Sequence, residues 1–167
     1  PGRAEAQNEL LAYRLSMALG ANVPEIVELR KYAVRQRFVE GREWSESKTE
    51  DNIKALAGSR EGAVLDFLMF QVDRHEGNLI IDDVRKRLWS IDNGNTPWPT
   101  ITVENDLDLF SNLLKFQDSL LLGAWGGTKL WRVMREKLEI MRDDVQWPKA
   151  VRARADFLIQ LDYLPTR

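Results

Sequence analysis

Apolar residues along the chain change their spacing several times, and each spacing predicts a different element. Residues 4–19 carry apolar side chains three and four positions apart and end at Gly20, which predicts an amphipathic helix. From Val64 to Val72 the chain is almost continuously apolar, which predicts a helix buried nearly all round. Three more helices are predicted over residues 107–122, 129–142 and 148–161.

Short runs of β-branched and aromatic residues predict strands in two places. Two strands are expected over residues 23–29 and 32–39. Residues 79–81 and 88–91 are two further runs, joined by the polar segment 82–87, and this pattern predicts a hairpin with a solvated tip. A polar connector is expected over residues 42–57, and a proline-containing loop over residues 93–102.

Three residues around the predicted hairpin have the chemistry of phosphoryl transfer. Asn78 just before the first strand and Asp92 just after the second should meet at the open end, and Asp73 follows the buried helix. Transfer of the γ-phosphoryl group of ATP requires a carboxylate near the acceptor hydroxyl and oxygen ligands for Mg²⁺. Asp73 would supply the first, and Asn78 with Asp92 the second.

Each of these residues also has a structural explanation. Asp73 and Asp92 taken singly are ordinary loop carboxylates, and Gly77-Asn78 is a common turn pair. Their joint position after a buried helix and around one hairpin favours the functional interpretation. His75 is the only histidine, and it is expected to order the loop by hydrogen bonding, with Arg74 as a structural brace.

The same segments resemble the catalytic loop and metal-binding motif of atypical kinases. The resemblance is carried by DRHEGN at residues 73–78 and IDNG at residues 91–94, and the nearest groups are HipA-like bacterial kinases, type II phosphatidylinositol kinases and secretory-pathway Golgi kinases. It implies that Asp73 is the catalytic aspartate, that Asn78 and Asp92 bind the metal, and that Ile91 belongs to the nucleotide site.

The resemblance extends more weakly towards the start of the chain. Glu9 is similar to the helix glutamate that pairs with a phosphate-binding lysine, although it could be a solvated helix residue. Phe38 and Val39 resemble the hinge that meets adenine, although they could be strand core. The implied fold is α+β and protein-kinase-like, with a reduced N-terminal lobe over residues 1–41 and a mostly helical C-terminal lobe over residues 42–167 that carries the catalytic-loop hairpin.

One part of the kinase pattern is missing from the sequence. In such kinases the glutamate helix follows strands with a glycine-rich loop and a lysine, whereas this chain begins at Pro1 and contains no G-x-G-x-x-G or Walker sequence. The resemblance therefore predicts either a fragment, completed by a separate N-lobe segment or partner chain, or a minimal kinase.

Composition narrows the remaining choices. The 167 residues, 44% of them hydrophobic, suffice for one compact domain or a large lobe. A net charge of −2 argues against a general nucleic-acid binder, and no apolar run reaches the roughly 20 residues of a membrane span. The absence of cysteine excludes disulfides and thiolate sites, and it favours a bacterial protein in the cytoplasm, or in host cytosol for an effector, over a Golgi enzyme.

Three functions remain open at this point. The leading one is an ATP- and Mg²⁺-dependent kinase of atypical bacterial type that acts on a protein serine or threonine hydroxyl. The second is a kinase for a phosphoinositide or another small alcohol. The third is a non-catalytic kinase-like module, or an incomplete fragment, that binds a partner.

Overall fold

The computed structural model describes residues 3–30, 33–44, 55–71, 73–96 and 128–160. Within these ranges the chain is mixed α and β, which agrees with the expected α+β class. The helices are α1 (Arg3–Leu19), α2 (Ser59–Met69), α3 (Thr128–Asp143) and α4 (Lys149–Ile159). The strands are β1 (Ile26–Arg30), β2 (Ala33–Gln36), β3 (Arg42–Glu43), β4 (Leu79–Asp82) and β5 (Arg87–Ser90). None of the helices in the described part is long and apolar enough to cross a membrane.

The predicted elements are largely confirmed where the structure describes them. Gly20, with φ +87°, ends α1 in the left-handed region that glycine adopts without strain. The helices predicted over residues 129–142 and 148–161 correspond to α3 and α4. The helix predicted over residues 107–122 lies outside the described residues.

The hairpin of β4 and β5 is the element that positions the candidate site. Its strands pair antiparallel, with Leu79 opposite Ser90 at the open end and Asp82 opposite Arg87 at the tip. The predicted hairpin is therefore confirmed. A separate antiparallel pair is formed by β1 and β2.

Part of the expected polar connector is a strand. Arg42 and Glu43 pair with β4, so that the sheet of the hairpin has three strands. The preceding residue, Gly41, passes very close to β4: a Cβ placed there would lie 2.5 Å from Cγ2 of Ile80 and from the carbonyl oxygen of Ile81. A side chain at position 41 would therefore separate the chain from the hairpin.

Helix α2 is buried as expected, but it ends before the apolar run does. All residues from Gly62 to Met69 are buried. The helix ends because Phe70 adopts φ 53°, and its N–H is donated to the carbonyls of Asp66 and Phe67. The prediction that the helix continues to Val72 was wrong in this respect, since Asp73 lies on a loop four residues beyond its last helical residue.

Helix α4 supports the end of α2 through a buried arginine. Arg154 is fully buried, donates from Nη1 to the carbonyl of Leu68 at 2.8 Å, and lies over the ring of Phe70 at 5.2 Å from the centroid. Burial lowers the pKa of Arg154 to about 10, so the guanidinium keeps its charge at neutral pH. The loop with Asp73 thus begins from a firmly packed position.

One hydrophobic core joins these elements. Residues of α1, α2, α3 and α4 belong to a single buried cluster, which also includes strand residues of the hairpin. From α1 it includes Leu11, Ala12, Leu15 and Leu19. The helix that carries Glu9 and the helix that precedes Asp73 are therefore packed in the same core.

Candidate functional site

The open end of the hairpin brings Asn78 and Asp92 together. The N–H of Ile91 donates to the carbonyl of Asn78 at 3.0 Å, one residue beyond the last strand pair. Asn78 is buried, with 5% of its surface exposed, whereas Asp92 is exposed. Asp92 adopts φ 53°, a left-handed conformation that aspartate tolerates better than most residues. The expected convergence of these two residues is confirmed.

Gln71 links the two aspartates through their backbones. Its Oε1 accepts the N–H of Asp73 at 3.1 Å, and its Nε2 donates to the carbonyl of Asp92 at 3.4 Å. Gln71 is only 2% exposed, so these bonds are shielded from water. One buried amide therefore relates the loop of Asp73 to the segment that follows β5.

Two further amides hold Asp73 itself. Asn78 donates from Nδ2 to the backbone carbonyl of Asp73 at 2.9 Å, and Asn95 donates from Nδ2 to its Oδ2 at 2.9 Å. The carboxylate remains exposed. Within the described residues, these bonds leave Oδ1 of Asp73 and Oδ1 of Asn78 without a hydrogen bond.

Arg74 connects all parts of the site beneath its surface. Its Nε and Nη2 bind the carboxylate of Asp66 on α2, with a shortest contact of 2.7 Å. Its Nη1 donates to the carbonyls of Asn78 at 3.2 Å and Ile91 at 2.8 Å, and its Nη2 also donates to Oδ1 of Asn93 at 2.7 Å. Only 5% of the Arg74 side chain and 1% of the Asp66 side chain are exposed. The structural-brace prediction for Arg74 is confirmed.

His75 orders the turn that follows. Its Nδ1 accepts the N–H of Gly77 at 3.1 Å and so caps the short 3-10 helix Glu76–Asn78. This is the loop-ordering contact expected for the only histidine. The ring is exposed.

Glu9 reaches the same end of the hairpin from α1. It is 8% exposed, and its Oε1 accepts the N–H of Gly94 at 2.8 Å, while Oε2 is buried without a hydrogen bond in the described part of the chain. Burial raises the pKa of Glu9, the N–H groups of Gly94 and Asn93 oppose this effect, and the nearby charge of Asp92 adds to it. Glu9 is therefore a buried site residue and not a solvated one.

Phe38 and Val39 lie along a separate groove. The groove has a volume of about 640 Å³ and runs between α1, the segment after β2 and the hairpin. Phe38 is 84% exposed, so the strand-core alternative is wrong for it. Ile91 does not line this groove. Among the lining residues are Tyr13, Met17, Glu25, Arg37, Phe38, Val39, Arg87 and Trp89.

The groove follows the hairpin from Trp89 to the tip, where Asp82 and Arg85 line it. Tyr13, which lines it, follows Glu9 by four residues on α1, a rise of about 6 Å. Trp89, which also lines it, precedes Asp92 by three residues. Of the residues predicted from sequence, five thus lie at the open end of the hairpin, namely Glu9, Asp73, Asn78, Ile91 and Asp92, whereas Phe38 and Val39 line the groove.

Sequence reasoning missed several residues that organise this cluster. Asp66 was detectable in principle, because it is the only charged residue within the apolar run of α2 and a buried carboxylate needs a partner. The amides gave no comparable signal, since asparagine and glutamine are common in loops. The missed residues are Asn8, Asp66, Gln71, Asn93 and Asn95.

The oxygen atoms at the open end are compatible with Mg²⁺. Mg²⁺ is commonly held by one or two carboxylates, with water and substrate phosphate completing its coordination. Asp92 has an exposed carboxylate, and Asn78 supplies an amide oxygen at the same end of the hairpin. No group of three or more acidic or histidine side chains that could form a metal cage occurs within the described ranges. The arrangement suits a cation shared with a substrate.

Comparison with known proteins finds no match to any protein-family model and no match to a curated protein. A functional assignment consequently depends on the residues of the site and their geometry.

Proposed function

We propose that this chain is the main part of an ATP- and Mg²⁺-dependent kinase of the atypical protein-kinase-like type, with a protein serine or threonine hydroxyl as its acceptor. The carrying observation is that two exposed aspartates, Asp73 and Asp92, are fixed relative to each other by the buried side chain of Gln71. Phosphoryl transfer depends mainly on such positioning and on charge stabilisation.

Asp73 would act on the acceptor. Its free Oδ1 receives the hydroxyl proton as the acceptor oxygen bonds to the γ-phosphorus of ATP and the bond between that phosphorus and the departing ADP oxygen breaks. Asn95 holds Oδ2 at 2.9 Å and limits rotation of the carboxylate. Asn78 fixes the backbone of the same residue at 2.9 Å.

Asp92 and Asn78 would hold Mg²⁺, which supplies positive charge to the transferring phosphoryl group. The groove would hold the base and ribose, with Phe38, Val39 and Tyr13 among its lining residues. Its volume of about 640 Å³ lies within the usual range of about 300–1,000 Å³ for ligand sites.

A phosphoinositide or another small alcohol is the second candidate acceptor. It is favoured by exposed apolar residues next to cationic ones: Met17 is 71% and Phe38 84% exposed, and both line the groove together with Arg37 and Arg87. Such a combination attracts anionic lipid surfaces.

The experiment is a transfer assay with γ-labelled ATP and Mg²⁺ on the full chain, in which the acceptors are a bacterial lysate and phosphoinositide vesicles. We expect label in the protein fraction, and a loss of about 10²- to 10⁴-fold in Asp73→Asn, the contribution of a positioned general base. Asp83→Asn, at the hairpin tip, is the matched control and should transfer at the wild-type rate.

The outcomes separate the three functions. Label confined to lipid would identify the second candidate. Undiminished transfer by a folded Asp73→Asn variant would refute the assigned role of Asp73. Failure of the folded wild type to bind Mg²⁺-ATP in a thermal shift assay would favour the non-catalytic module.

A further inference from the structure

The open end of the hairpin contains a buried carboxylate oxygen that has no hydrogen-bond partner among the described residues. Glu9 is 8% exposed, and although Oε1 accepts the N–H of Gly94, Oε2 has no hydrogen-bond partner within the described residues. A buried ionised carboxylate without full compensation is costly. Because Glu9 lies on the well-packed helix α1, we expect a cation or a hydrogen-bond donor at its Oε2.

A second carboxylate lies beside it. Gly94, whose N–H binds Glu9, follows Asp92 by two residues, and the charge of Asp92 acts on Glu9. The side chain of Asp92 makes no hydrogen bond or ion pair to the part of the chain that the structure describes. The two carboxylates thus act on each other, and neither forms an ion pair with a described residue.

Arg74, the buried cation beneath the site, is fully engaged elsewhere. Its hydrogen-bonding groups are committed to the carboxylate of Asp66, the carbonyls of Asn78 and Ile91, and the side chain of Asn93. A guanidinium has five N–H donors, and these contacts use all of them. Arg74 therefore cannot also neutralise Glu9 or Asp92.

We propose that Glu9 is a third oxygen ligand, with Asp92 and Asn78, for a divalent cation of the Mg²⁺ or Mn²⁺ type. The proposal rests on the proposed function in its use of Asp92 and Asn78 as ligands, but it adds a residue that binds the cation before any nucleotide is present. Two carboxylates balance the double charge, and oxygen ligands suit both metals. The shielded position of Oε2 strengthens its attraction to a cation.

Metal binding to the full chain without nucleotide tests this proposal. Binding of Mn²⁺ would be followed by electron paramagnetic resonance and by thermal unfolding in MgCl₂ or MnCl₂, with ionic strength matched by NaCl. We expect a metal-dependent rise in Tm for the wild type, its disappearance in Asp92→Asn, and at least a tenfold weaker Mn²⁺ affinity in Glu9→Gln. This variant keeps an oxygen for Gly94 while removing the charge. Glu136→Gln, at an exposed position of α3 outside the groove, is the matched control and should bind Mn²⁺ as the wild type does.

Either failure would overturn the proposal. Equal Mn²⁺ affinity in the wild type and Glu9→Gln would mean that the cation binds without Glu9, and no binding by the wild type would mean that the site takes no free divalent cation. Glu9-dependent Mn²⁺ binding without Mg²⁺-ATP binding would support this proposal and refute the proposed function. Mg²⁺-ATP binding that is lost in Asp92→Asn but unchanged in Glu9→Gln would support the proposed function and refute this proposal.

Discussion

The two ends of the β4–β5 hairpin contain the same kind of ion pair in opposite surroundings. At the open end, Arg74 and Asp66 have 5% and 1% of their side chains exposed, and the arginine also binds two backbone carbonyls and an amide. At the tip, Arg42 binds Asp83 with 40% and 53% of their side chains exposed. Arginine–aspartate pairing alone therefore does not distinguish a site from a solvated turn. Burial and the number of connected segments do.

Replacing the buried arginine at the open end should have the largest effect on stability. Arg74→Met keeps much of the side-chain volume but leaves Asp66 as an unpaired buried charge and frees the carbonyls of Asn78 and Ile91. We expect a loss of about 3–5 kcal/mol in the free energy of unfolding, the usual cost of breaking a buried ion pair from one side. Urea denaturation measures it.

The hairpin tip supplies the control for this measurement. Asp83→Asn removes the carboxylate of the Arg42–Asp83 pair, in which both side chains are exposed, and exposed pairs contribute little. Its unfolding midpoint in urea should remain close to that of the wild type. Similar losses in the two variants would show that the open end is not the more strongly held region.

The regular elements around this end could be predicted because they repeat. The apolar stripe of α1 and the alternating runs of β4 and β5 each contain several residues with one spacing, so a single exception does not change the result. Once the hairpin is predicted, its strand ends place Asn78 and Asp92 at the open end.

The remaining features depend on single residues or distant contacts. Helix α2 ends at Phe70 because one residue takes a left-handed conformation, and apolar character does not encode that choice. Strand β3 has only two residues, too few to show alternation, and it forms by pairing with β4. Gln71 and Asn95 act through amide contacts that become visible only when the loop of Asp73 and the segment after β5 are adjacent.

A pH titration tests the burial of Glu9 at the open end. Burial raises the pKa of Glu9 in the folded state above its ordinary value of 4.5, so the folded state holds this proton more tightly than the unfolded chain does. The resulting stabilisation is fully present below about pH 4.5 and is lost as the pH rises through the raised pKa. Thermal unfolding from pH 4 to 8 in EDTA should therefore show the wild type losing stability relative to Glu9→Gln.

The Glu25→Gln variant provides the baseline for removing one carboxylate, since Glu25 is exposed beside the groove. The difference between the two titrations isolates the effect of burial from the change in net charge. A wild-type curve that runs parallel to that of Glu9→Gln over the whole range would contradict a raised pKa.

The smallest effect on stability is expected in the groove, where it should be separated from an effect on binding. Phe38 is 84% exposed, and so Phe38→Ala should change the free energy of unfolding by no more than about 0.5 kcal/mol. If the ring stacks on a nucleotide base, however, its loss should weaken Mg²⁺-ATP binding by about 1–3 kcal/mol, the range measured for base–aromatic stacking. Calorimetric titration gives the affinity, and Leu29→Ala, also exposed but outside the groove lining, is the control. Equal affinities in the wild type and both variants would show that the base does not stack on Phe38. A weaker Mg²⁺-ATP affinity of Phe38→Ala at unchanged stability would instead establish that the two regions differ in role. The open end is fixed by buried contacts, whereas the groove is exposed and is covered by a ligand.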